Sequence, residues 1–111
     1  MTQKKSAEYQ IPLPKQMHKD EMQRVVERAA ASCGMYISHI GSYTRVKYPN
    51  SVHWHFKRDK KEPGLIDATF WDVENRFWLV VRDREPAWVH AMVPAFLQAI
   101  EDALGEFRLT I

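Results

Sequence analysis

Val52-His53-Trp54-His55-Phe56-Lys57, followed after a charged turn by Leu65-Ile66-Asp67-Ala68-Thr69-Phe70-Trp71, sets the architecture of this chain. Side chains of an extended chain alternate between faces, so the first run puts Val52, Trp54 and Phe56 on one side and His53, His55 and Lys57 on the other. The second puts Ile66, Ala68 and Phe70 on one side and Asp67, Thr69 and Trp71 on the other. The link Asp59-Lys60-Lys61-Glu62-Pro63-Gly64 is a solvated turn, so the two runs are antiparallel neighbours. Pairing Phe56 with Ile66 sets Trp54 against Ala68, Val52 against Phe70 and His55 against Asp67. One face is then wholly apolar, and a one-residue slip would destroy that agreement.

The pattern extends both ways. Upstream, Thr44, Val46 and Tyr48 alternate with Tyr43, Arg45 and Lys47, and Pro49-Asn50-Ser51 reads as the hairpin loop. That places Tyr48 opposite Val52 and Val46 opposite Trp54, on the apolar face. Downstream, Arg76 to Arg82 carries Phe77, Leu79 and Val81 on one side, which sets Phe70 opposite Phe77 or Leu79. The connection is Asp72-Val73-Glu74-Asn75, and a two-residue Glu74-Asn75 turn within it would set Asp67 opposite Arg82 and Trp71 opposite Trp78. Four strands linked in this way form a meander.

Helices flank it. Met22, Val25, Val26, Ala29 and Cys33 recur at spacings of three and four, with His18 or Asp20 near the start and Gly34 as a left-handed stop. Val89, Met92, Val93, Phe96, Leu97, Ile100 and Leu104 form a second stripe that ends at Gly105. Pro94 lies within it and predicts a kink or two pieces. Phe107, Leu109 and Ile111 alternate as a short edge strand would. Residues 1–13, polar and broken by Pro12, read as a flexible N-terminal arm ahead of a single domain over 14–111. The expected fold class is therefore α+β: a two-layer sandwich with an N-terminal helix, an antiparallel meander of at least four strands, and a C-terminal helix on the same face.

Composition narrows the functional classes. The chain has 111 residues, 45% hydrophobic and 27% charged, which suits one globular domain. A formal charge of +2 is too balanced to imply a polyanion by itself. Cys33 is the single cysteine, which excludes an intrachain disulfide and any cysteine-rich metal site. No apolar run is long enough to span a membrane, so the expected location is cytoplasmic, with no membrane partner.

Function then rests on the face opposite the apolar one. Its candidate binding residues are Tyr43, Arg45, Lys47, His53, His55, Asp67, Trp71, Trp78 and Arg82. Trp71 and Trp78, with Val80 and Tyr43, expose more apolar area than a monomer usually shows. The leading expectation is accordingly a non-enzymatic interaction or adaptor module that pairs with itself as a homodimer and with other proteins, without a cofactor. The same aromatics and cations alternatively suit a single-stranded nucleic-acid platform. His53 and His55 point to one side, with Asp67 across the ladder. This third reading is a metal site, or a hydrolase-like His/Asp pair, opposed by Lys47, Lys57, Arg45 and Arg82 nearby. No nucleophile motif or phosphate-cradling loop accompanies them.

Overall fold

The computed structural model describes residues 5–43 and 47–108. In chain order the elements are β1 (Ser6–Gln10), α1 (Lys19–Ser32), β2 (Tyr36–Tyr43), β3 (Ser51–Lys57), β4 (Ile66–Trp71), β5 (Arg76–Arg82), α2 (Ala87–Leu104) and a 3₁₀ turn at Gly105–Phe107. The five strands form one antiparallel sheet in the order β1-β5-β4-β3-β2, and the two helices pack on one of its faces. This is the expected α+β class with a single helical layer.

The core lies where the alternation placed it. Trp54, Phe56, Ile66, Ala68, Phe70, Phe77, Leu79 and Val81 are buried under Met22, Val25, Val26, Val89, Phe96 and Ile100. The expected register holds between β3 and β4: Phe56 pairs with Ile66, Trp54 with Ala68, Val52 with Phe70, and His55 with Asp67. Phe56 also meets Phe96 edge-on at 4.9 Å, which locks α2 to the sheet. Gly34 takes φ of 71°, and the amides of Gly34 and Met35 close on Ala31 and Ala30, which ends α1 as expected. α2 passes through Pro94 as a single helix, with that proline on the exposed side.

Four expectations are corrected. Part of the N-terminal arm is β1, an edge strand paired with β5 from Ser6↔Arg82 to Gln10↔Trp78. Tyr9 and Ile11 pack on the core, which offsets the ordering of this short polar segment. Second, the strand before the hairpin is β2, not the stretch around Tyr48: Ile40 opposes Trp54 and Ser42 opposes Val52. Tyr48 lies in the connection to β3, on the opposite side of the sheet from the core, and Val46 lies outside the described residues. Third, Phe107 belongs to the 3₁₀ turn rather than a strand, and Leu109 and Ile111 lie outside the described residues.

The fourth concerns the last hairpin. β5 pairs so that Trp71 opposes Arg76, Thr69 opposes Trp78 and Asp67 opposes Val80. Phe70 therefore pairs with Phe77, the first of the two expected registers, and the two-residue turn that would have set Trp71 opposite Trp78 is not the one formed. Asn75 accepts from the Met17 amide (2.9 Å) and donates to the Lys15 carbonyl (2.9 Å), and it adopts φ of 52°. Contacts with the segment before α1 thus set the turn.

Candidate functional site

The face away from the helices is built in rows. One row runs Glu8, Val80, Asp67, His55, His39 across the five strands; the next runs Gln10, Trp78, Thr69, His53, Gly41. A register slip between Ile37 and His39 turns His39 onto this face, opposite His55. Gly41, beside His53, leaves the space that the His39 ring fills: a Cβ there would stand 3.0 Å from His39 Nε2.

This face is not the exposed surface expected from the sequence. Asp67, Thr69 and Trp78 are buried, at 5%, 3% and 4% exposure. Ahead of β3, Tyr48 packs over this face of the sheet, against both Trp78 (ring centroids 5.0 Å) and Trp71 (5.3 Å). Arg76 covers Trp78 at 4.9 Å. The expected exposed Trp71/Trp78 pair is therefore corrected: the rings are not opposite each other, and the chain itself covers Trp78. The Trp71 indole donates to the Pro49 carbonyl, tying the segment ahead of β3 down.

Three of the candidates converge. His53 Nε2 and His55 Nε2 are 2.8 Å apart, His55 Nε2 is 2.8 Å from Asp67 Oδ1, and His53 Nε2 is 3.7 Å from it. Beneath them, His53 Nδ1 is 3.3 Å from Thr69 Oγ1. Arg82 Nη1 lies 3.6 Å from Asp67 Oδ2 and 3.7 Å from Glu85 Oε2. Asp67 therefore turns one oxygen to a guanidinium and the other to two imidazoles. Close as the imidazoles are, Asp67 Oδ1 is buried and accepts no hydrogen bond among the described residues, because the 2.8 Å contact with His55 lacks hydrogen-bond alignment.

His53 presents Nδ1 to the Thr69 hydroxyl and Nε2 to His55 and Asp67, so one ring edge is held by the sheet and the other faces the carboxylate. Burial holds the His53 pKa below its ordinary value against the opposing pull of Asp67, so the ring stays neutral near pH 7. A cation placed among the three atoms would meet two imidazole nitrogens and the Asp67 oxygen that accepts no hydrogen bond among the described residues. In a tetrahedral zinc site, ligand atoms about 2.0–2.1 Å from the ion lie roughly 3.3 Å apart; the three separations here straddle that distance.

His53 and Asp67, with Thr69, line a cavity of about 390 Å³, and His55 stands beside them outside its lining. Tyr48, Trp78 and Val80 give it apolar surface, and Lys47, Arg82 and Glu8 from β1 complete the lining. Of the other sequence candidates, Tyr43 closes β2 opposite Ser51, Trp71 is half-buried beside Tyr48, and Arg45 lies outside the described residues. His39 and Glu8 are not among the sequence candidates, and the sequence places Tyr48 on the apolar face. β1 brings Glu8 here, the register slip in β2 brings His39, and the connection to β3 brings Tyr48; no motif in the chain marks any of the three.

Set against known proteins, the chain matches no family model, no curated protein and no solved structure.

Proposed function

We propose that this protein binds one divalent transition-metal ion per chain through His53, His55 and Asp67. The observation that carries the reading is the buried, hydrogen-bond-free Asp67 Oδ1 facing two imidazole nitrogens at 2.8 and 3.7 Å. Two imidazoles and a carboxylate suit zinc, iron(II) or a neighbouring ion of that row, and three protein ligands leave a coordination position open. Thr69 would act behind His53 by fixing its tautomer, and Arg82 behind Asp67 by holding the carboxylate's orientation. Arg82 also repels an incoming cation. Its guanidinium is shared with Glu85, which offsets part of that repulsion.

The test is zinc uptake by untagged, chelator-stripped protein in equilibrium dialysis with elemental analysis. One equivalent is expected, with affinity reduced by at least the ~100-fold that loss of even an outer-shell partner can cost in Asp67→Asn and in the His53→Ala/His55→Ala double variant. Absence of saturable uptake, or equal uptake by the variants, overturns the reading.

A second reading, homodimerisation, is favoured by a different observation. β2 is an edge of the sheet, and it exposes Ile40 (53%) and Tyr36 (39%). Such an edge pairs with a second copy through its backbone. Light scattering tests it: a dimer that Ile40→Lys dissociates supports this reading, and a monomer at every concentration ends it.

A further inference from the structure

Trp78 is buried and aromatic, yet it borders a cavity that two cations line and that two of the three proposed metal ligands, His53 and Asp67, reach. Each of these features constrains what the cavity takes. The lining residues carry two cations, Lys47 and Arg82, and two carboxylates, Glu8 and Asp67, so they balance. A divalent ion at the triad leaves the lining with two positive charges in excess, or one when Glu85 beside Arg82 is counted. An anion is the occupant that relieves it. Hydroxide or chloride would do so but would leave the apolar wall of Tyr48, Trp78 and Val80 uncovered.

We infer that the cavity takes a small organic carboxylate with a flat apolar body, its carboxylate completing the coordination of the ion and its body lying against Trp78 and Tyr48. This rests on the metal reading above and adds the ligand class to it. The volume, about 390 Å³, falls in the range of small-molecule sites, roughly 300–1,000 Å³, and admits a substituted benzoate. Lys47, the other lining cation besides Arg82, would meet the second carboxylate oxygen. Its ammonium sits 5.6 Å from the Tyr48 ring centroid, at the solvent side of the cavity. Tyr48 gives the ligand's body an aromatic neighbour, and the same ring holds the two tryptophans in place. The polar end and the apolar wall thus select together: neutral aromatics lose the ion, and simple anions lose the wall.

The experiment measures benzoate binding by tryptophan fluorescence and calorimetry, with zinc content determined separately on the same samples. Zinc-loaded wild-type protein is expected to bind benzoate, to bind acetate at least tenfold more weakly, and to ignore benzamide. Chelator-treated protein should lose benzoate binding at least tenfold. Lys47→Met, at an exposed position, removes the charge without adding a ligand and should weaken benzoate tenfold or more while zinc is still taken up. Val80→Trp should fill the cavity and abolish benzoate binding while still taking up zinc, and that retained uptake reports an intact fold. Zinc uptake without benzoate binding overturns the inference and leaves the metal reading standing. Benzoate binding that is equal with and without zinc, or unaffected by both variants, also overturns it. Failure of zinc uptake removes both.

Discussion

Asp67 shows how one side chain acquires meaning from its neighbours. Alternation places it on the face away from the core, where a carboxylate is ordinarily solvated. Here it is buried on a central strand, between β3 and β5, with one oxygen toward Arg82 and the other toward His53 and His55. Replacing it by Asn keeps the shape and removes the charge, so metal uptake should fall steeply while the circular dichroism spectrum stays unchanged. Trp78 makes the opposite point. At 4% exposure under Tyr48 and Arg76 it is a core residue of the second face. Trp78→Glu should therefore destabilise the chain by at least the roughly 3–5 kcal/mol of a large-to-small core truncation, measured by urea titration. A folded variant of unchanged midpoint would contradict this burial.

The informative element is β1. A polar five-residue segment has little intrinsic drive to be a strand, yet Ser6–Gln10 pairs along its length with β5, and the ladder continues to the Ile11 amide, which donates to the Phe77 carbonyl at 2.9 Å. A chain lacking residues 1–11 should melt at lower temperature than the full chain, and the Leu79 and Val81 amides should exchange faster. Identical melting would mean that the segment contributes no more than an arm. The α1 terminus offers a cleaner backbone test. Gly34 has φ of 71°, and the space that a side-chain methyl would occupy there is open. Gly34→Ala should therefore cost about 1 kcal/mol through backbone conformation alone, read from the same denaturant titration.

For the whole molecule, ligation links the site to stability. The three proposed ligands sit on β3 and β4, the centre of the sheet, so an ion bound there is bound only by the folded chain. At a free zinc concentration about 100 times the dissociation constant, the gain is about 2.7 kcal/mol, an upward shift in melting temperature on the order of 10 °C for a domain of this size. Differential scanning calorimetry with and without chelator checks it, and Asp67→Asn should show no shift. Among the described residues, no helix is long and apolar enough to cross a membrane.

The β3–β4 register, both helices and the core face were legible in the order of residues alone. Those segments are strongly periodic, and a slip of one residue would bury His53, His55 and Asp67 against the helices. The same alternation brought the three candidate ligands onto one side. What surrounds them emerged only from the folded chain. β1 and β2 are weakly patterned, and their places follow from pairing with strands already formed. The β4–β5 turn is set by Asn75 holding the Lys15–Met17 segment, and Tyr48 reaches Trp78 only by packing over the sheet ahead of β3. Local alternation specifies which way a side chain points; what covers it depends on contacts between residues far apart in the chain, which no local period encodes.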